Sequence, residues 1–240
     1  MSWLEDLEAW LLPGECLLCR GSPTDGLICR LCRYRWVRLP EPLCSRCGQP
    51  RLLTELSCRL CAEWPPGLGR VRSAVWHEGG ARSAIHQLKY EGWWRVTESL
   101  AGAMGGLEPL TGRLLLVPVP LAPKRLRDRG YNQSEYLARA VGKVTGHPVQ
   151  PHALRRVRET PTQTALTPEA RLANVTGAFQ AGGVAGRRVV LVDDVFTTGA
   201  TLLAAAQALT RAGAGEVEAV TFARARPAIS DQRSAISAKR

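Results

Sequence analysis

Residues 189–202 read Val-Val-Leu-Val-Asp-Asp-Val-Phe-Thr-Thr-Gly-Ala-Thr-Leu. The apolar, β-branched run predicts a strand buried on both faces, as in a parallel sheet, ending on two carboxylates and a small, hydroxyl-rich turn. The Ala/Leu-rich stretch 201–212, closed by Gly213, predicts a helix directly after that turn. Free backbone N–H groups of the turn and the positive end of the helix dipole then face one point, which suits a phosphate. Thr197, Thr198 and Thr201 add hydroxyl donors, Gly199 and Ala200 leave room for a ligand, and Asp193 and Asp194 stand at the strand's solvent end. There they can accept hydrogen bonds from sugar hydroxyls beside the phosphate.

Outward from this segment, strands and helices alternate from Val71 onward, which predicts an α/β domain with a mainly parallel sheet. Strands are expected at Val71–His77, Leu114–Val119, 188–193 and 216–222. A turn is expected at Gly79-Gly80 with a helix after it through Leu88, and further helices over 94–104, Gln133–Val144 and 201–212. A second basic cluster follows the Leu114–Val119 strand: Pro120, Lys124, Arg125, Arg127, Arg129, Tyr131, Asn132 and Gln133. Open α/β sheets bind ligands at their carboxyl ends, so this cationic loop and the Thr-rich turn together suit a ligand with two phosphate groups. Residues 151–178 show no clear period and include Arg155, Arg156, Thr160, Gln163, Arg171 and Asn174, donors that suit a lid over an anionic ligand, with a solvated linker as the alternative.

All eight cysteines precede residue 62, in four Cys-x-x-Cys pairs: Cys16/Cys19, Cys29/Cys32, Cys44/Cys47 and Cys58/Cys61. With no basic signal region ahead of Glu5, Asp6 and Glu8, four regular knuckles point to two tetrathiolate zinc sites rather than disulfides. The gaps favour two sequential ribbons, Cys16/19/29/32 and Cys44/47/58/61, and leave a cross-braced pairing open. Eight thiolates and two divalent ions lower the formal charge of +11 to about +7. Residues 2–12 predict a short amphipathic helix and 226–240 a disordered tail, giving 1–66 as helix and ribbons, 67–225 as the α/β domain, then the tail. No apolar run reaches the ~18 residues of a membrane span. The chain reads as cytoplasmic.

The strand, paired acids and Thr-Thr-Gly-Ala-Thr loop resemble the phosphoribosyl diphosphate (PRPP) signature of type I phosphoribosyltransferases. Over nearly the whole length, the chain is similar to the competence protein F (ComF) family. Besides the ribbons and signature loop, the likeness rests on Leu88-Lys89-Tyr90 before Gly92, Val117-Pro118-Val119-Pro120, Arg129-Gly130-Tyr131-Asn132-Gln133, Thr160 to Gln163, Arg171 with Asn174, and Gly177-Ala178-Phe179. Tyr131 stands where Phe is more usual in the family.

The resemblance implies a type I phosphoribosyltransferase-like fold behind a double zinc ribbon, with Mg²⁺ accompanying PRPP. It implies a role in natural transformation, in handling single-stranded DNA, or in using DNA as a nutrient, with a competence helicase as a further partner. If the site is catalytic, a nucleophile displaces diphosphate from C1 of PRPP. Asp193 and Asp194 then hold the ribose, and the Arg-rich loops neutralise the leaving group. No general base is evident among the scattered His77, His86, His147 and His152. The alternative is a non-catalytic protein that binds PRPP or single-stranded DNA, with Arg33, Arg35 and Arg38 as contacts and Trp36 or Trp64 as stacking platforms.

Overall fold

The structure is a computed structural model that describes residues 14–22, 26–51, 58–158 and 177–227. The sequence-based lid residues Thr160, Gln163 and Arg171, the 2–12 helix and most of the tail lie outside them. Four parallel strands, β1 (Val71–Trp76), β2 (Leu115–Pro118), β5 (Arg188–Phe196) and β6 (Glu216–Arg224), form one sheet in the order β1-β6-β5-β2. A separate antiparallel ladder joins β3 (Leu154–Arg156) to β4 (Phe179–Ala181), tying together the two ends of the segment without periodicity.

The alternating side chains of β5 divide between two cores, as expected of a strand covered on both faces. Val190 and Val192 pack with Val220 and Phe222 against α2 (Gly79–Tyr90), α3 (Val96–Met104) and α5 (Gln133–Thr145), through Ile85, Leu88, Leu100, Met104, Leu137 and Val141. Val189 and Leu191 pack on the other face against Leu202, Leu203 and Leu209 of α6 (Ala200–Arg211), with Leu154 and Phe179 of the small ladder. Each such side chain contributes about 1.5–3 kcal/mol of transfer free energy, which makes this sheet the rigid base on which the loops at its carboxyl edge are held.

The ribbons lie against this domain. Cys16, Leu27, Ile28, Cys32 and Trp36 belong to the same buried cluster as the α2, α3 and α5 side chains. The outer edge of β1 is covered by them too. Trp76 N–H donates to the Val37 carbonyl at 2.8 Å, and Val71 N–H to the Arg46 carbonyl at 2.7 Å, so the backbone of an edge strand is paired rather than exposed.

Two elements depart from the sequence reading. The cationic stretch expected as a loop contains a helix, α4 (Pro123–Arg129), with Pro at its start and Gly130 in the left-handed conformation at its end. It buries none of its residues, so it carries no hydrophobic period by which it could have been found. Strand β5 also runs on to Phe196, three residues further than expected, so the two acids lie within the ladder rather than beyond it.

Candidate functional site

Because β2 and β5 are hydrogen-bonded neighbours, the segments that follow them, 119–133 and 197–201, emerge side by side at the carboxyl edge. The 197–201 turn enters α6 at Gly199, which caps the helix with φ 81°. A Cβ there would stand 3.1 Å from both the Phe196 ring and Trp64 Cζ2, so the position excludes side chains twice, by conformation and by space. Thr197 is exposed, Thr198 and Thr201 are half-buried, and Gly199 and Ala200 are buried. This leaves hydroxyls at the surface above the unpaired N–H groups of a twelve-residue helix.

The acids do not share the solvent-end position expected of them. Val192 and Val195 both pack toward the α2/α3/α5 side, so the two-residue alternation breaks across Asp193-Asp194. Asp194 is only 3% exposed and forms an ion pair with Lys89 Nζ, from the last turn of α2. Asp193 is half-buried, and its Oδ1 accepts from Ser134 Oγ at 2.7 Å and from the Asp194 N–H at 2.9 Å. The pair therefore splits electrostatically. Burial and the adjacent Asp194 charge push the Asp193 carboxyl up to about 7. Burial acts in the same direction on Asp194, but the Lys89 ammonium outweighs it and holds that carboxyl below its ordinary value.

The residues of the basic cluster take distinct places. Arg125, Arg129, Tyr131 and Gln133 line a cavity of ≈ 670 Å³ with Lys89, Tyr90, Gly92, Leu121 and Asp128. Arg129 donates to Gln133 Oε1 and lies 5.6 Å over the Tyr90 ring. Gln133, 4% exposed, also acts on Asp194 and so links the cationic wall to the acids. Tyr131 donates its hydroxyl to the Leu88 carbonyl, fixing the end of α2 that carries Lys89. Asn132 caps α5: its Oδ1 accepts from the Ser134 N–H at 3.1 Å and its Nδ2 donates to the Val119 carbonyl at 3.1 Å. Both ends of that side chain are engaged inside the protein, so it shapes the wall rather than facing a ligand. Pro120 is half-buried at the turn leaving β2.

The eight cysteines gather into two clusters, Cys16/Cys19/Cys29/Cys32 and Cys44/Cys47/Cys58/Cys61, whose sulfurs lie within 4.8 Å of one another. This is the sequential pairing. Sγ–Sγ distances of 3.7 Å for Cys19–Cys29 and 3.6 Å for Cys44–Cys61 and Cys47–Cys58 are too long for disulfides. They match the ~3.8 Å edge of a tetrahedron with ~2.3 Å metal–sulfur bonds. Backbone N–H groups of Leu18 and Cys29 point at Cys16 Sγ, from 3.5 and 3.3 Å, which favours a thiolate there. The donor set fits zinc.

Comparison with known proteins agrees with this geometry. A family model for a double zinc ribbon domain matches residues 7–62, and one for a phosphoribosyl transferase domain matches residues 152–237. The chain is 35% identical over 218 residues to the DNA utilization protein YhgH of Escherichia coli strain K12, covering 86% of this chain and 95% of that one. It is 27% identical over 225 residues to competence protein F of Haemophilus influenzae, covering 88% and 97%, and 26% identical over 211 residues to competence protein ComFC of Bacillus subtilis, covering 83% and 85%. The chain belongs to the ComF family. Among solved structures, glutamine PRPP amidotransferase from B. subtilis superposes with a TM-score of 0.40 at 22% identity. That match covers 57% of this chain and 30% of that one.

Three residues of this ComF-family site have no role in the sequence reading. Lys89 and Tyr90 are visible there only as part of a family likeness, because nothing in local spacing ties residue 89 to residue 194. Ser134 reads as an ordinary first-turn residue. His77 stands just past β1, where burial and then the Lys89 charge lower its pKa, so its imidazole is neutral at pH 7. Folding therefore brings a neutral histidine into the electrostatic surroundings of Lys89 and Asp194. Trp36 is buried edge-on against Phe222, with ring centroids 4.9 Å apart, and Trp64 is half-buried against Phe196. Neither offers an open face of the kind expected of a stacking platform. The exposed aromatic of the first ribbon is Tyr34, at 87%.

Proposed function

We propose that the carboxyl edge of the sheet binds Mg²⁺-PRPP. In this reading the 197–201 turn takes the 5′-phosphate, Asp193 takes the ribose hydroxyls, and Arg125 and Arg129 face the diphosphate across the ≈ 670 Å³ cavity. The observation that carries it is the left-handed glycine cap at the carboxyl end of β5, beside the segment after β2 that carries Arg125 and Arg129, with Asp194 tied to the cavity wall through Lys89. Asp194, neutralised by Lys89, positions rather than binds. The cavity is large enough for a whole small ligand, and its aromatic rim, Tyr90 at 69% exposure, suits a planar acceptor beside the diphosphate.

The names of the relatives favour a role in DNA utilization and competence. Turnover and binding are separated by mixing the protein with PRPP, Mg²⁺ and a panel of nucleobases and amines. Diphosphate release that depends on one acceptor supports an enzyme, and saturable PRPP binding without release supports a binding protein.

Asp193 sets a pH dependence. Ionised, it is an acceptor for two ribose hydroxyls; protonated, it must first lose its proton. With a carboxyl pKa of about 7, the competent fraction falls as pH drops, so PRPP affinity at pH 6 is expected to be about tenfold weaker than at pH 8. Asp193→Asn is expected to abolish that part of the pH dependence, leaving the titration of PRPP itself. Equal pH profiles for parent and variant, by calorimetry, refute the assignment.

A second reading is favoured by one surface. Helix α1 (Arg30–Tyr34) and the residues after it present exposed Arg30, Tyr34, Arg35 and Arg38 with exposed Leu31 and Val37. Cations interleaved with an aromatic suit single-stranded nucleic acid. Changing Arg33, Arg35 and Arg38 together to Ala is expected to reduce the salt slope of single-stranded DNA binding by about 0.7 for each phosphate that the variant no longer neutralises, and to leave PRPP affinity unchanged. An unchanged slope in filter binding moves the DNA site elsewhere.

A further inference from the structure

Arg224 ends β6 and is 2% exposed, yet among the described residues no carboxylate pairs with it. Its Nη1 donates to the Cys47 carbonyl at 2.8 Å and its Nε to Gln49 Oε1 at 3.0 Å, both neutral acceptors in the second ribbon. A buried cation without a counter-charge is strongly disfavoured. Cys47, whose carbonyl the guanidinium reaches, is one of the four cysteines of the Cys44/Cys47/Cys58/Cys61 cluster. Four thiolates around one divalent ion carry a net charge of −2.

The same guanidinium lies 4.1 Å from the centre of the Phe196 ring, and Arg224 and Phe196 are register partners across β5 and β6. That ring closes one side of Gly199. Trp64 closes the other, three residues after Cys61. Arg46, between Cys44 and Cys47, donates to the Trp64 carbonyl at 3.3 Å and to the Pro65 carbonyl at 2.9 Å. Two separate routes thus run from the second cysteine cluster to the residues flanking the signature turn.

We propose that Arg224 is a positioning residue that couples the second zinc centre to the 197–201 turn: the metal–thiolate charge holds Arg224, and Arg224 with Trp64 holds Phe196 and so the backbone of the turn. The coupling is reciprocal, so loss of metal loosens the turn and a ligand on the turn tightens the metal. The inference rests on the reading of the turn as a phosphate site only where PRPP is the probe.

The test uses the full-length zinc-loaded protein and three variants. Arg224→Met removes charge and stacking, Arg224→Lys keeps the charge but loses the planar contact with the ring, and Phe196→Leu removes the ring. Zinc release is followed with a chromophoric chelator, PRPP affinity by calorimetry, and amide hydrogen exchange over 196–203 by mass spectrometry. Arg224→Met is expected to release one of two zinc ions about tenfold more readily and to lose protection over 196–203. Arg224→Lys and Phe196→Leu are expected to keep parental zinc retention while weakening PRPP about tenfold.

Parental zinc retention in Arg224→Met, or parental exchange over 196–203 in all three variants, overturns the proposal. Should Arg224→Met fail to fold, Arg224→Lys and Phe196→Leu, both zinc-loaded, decide the exchange arm. If the parent does not bind PRPP, the phosphate reading fails, while zinc release and exchange still judge the coupling.

Discussion

Stripping zinc from the holoprotein is expected to lower the unfolding temperature of the α/β domain together with that of the ribbons, by at least ~10 °C. Structural zinc contributes on the order of 10 kcal/mol to folding a small ribbon, and in a domain of this size each kcal/mol moves the midpoint by ~2–4 °C. The effect reaches the second module because the two share structure. Cys16, Leu27, Ile28, Cys32 and Trp36 complete the core against α2, α3 and α5, and both ribbons pair with the edge of β1. Losing them uncovers apolar surface on three helices and leaves an edge strand open. Scanning calorimetry with and without a strong chelator, beside a metal count of close to two zinc ions per chain, checks this. Two transitions, with the α/β one unmoved by chelation, would contradict the shared core.

Replacing Lys89 with Met is expected to destabilise the folded chain by about 3 kcal/mol, the lower end of the range for breaking a buried ion pair, because the lysine side chain keeps 21% exposure. The substitution leaves Asp194 as a buried, uncompensated carboxylate. Adding Asp194→Asn to Lys89→Met is expected to recover more than half of the loss, since the double change removes both charges. Urea denaturation at pH 8 measures the cycle. Asp194 has a depressed folded pKa, so the stability it contributes is present above its unfolded value and is lost as pH falls through its lower folded value. Lys89→Met removes that acid-side slope. Additive effects of the two substitutions would show that the pair is not an energetic unit.

What is legible in the sequence follows from what is local. The β5 strand, the turn and α6 are contiguous, and their apolar run, Thr-Gly cap and Ala-rich helix obey rules that need no tertiary knowledge. Four Cys-x-x-Cys knuckles likewise announce their ligands, and the folded chain chooses between the two pairings left open. The split between the acids is not legible, because it depends on Lys89, more than a hundred residues upstream, and on the alternation breaking after Val192. Helix α4 escapes for the opposite reason: it has no buried face, so only Pro123 and Gly130 mark it. Asn132 reads as a candidate ligand contact in the chain and as a helix cap in the fold, since the same amide chemistry serves both.

The central claim is that Asp193, the signature turn and the Arg125/Arg129 wall form one PRPP site. Its most direct test is a calorimetric titration of Mg²⁺-PRPP into the zinc-loaded protein at pH 8, for the parent and for Asp193→Asn. Asp193→Asn removes no buried ion pair, so both proteins should share the same far-ultraviolet circular dichroism. Saturable one-to-one binding by the parent, weakened at least tenfold in the variant, is the result predicted. Equal affinity in both, or no heat of binding in the parent, would contradict it.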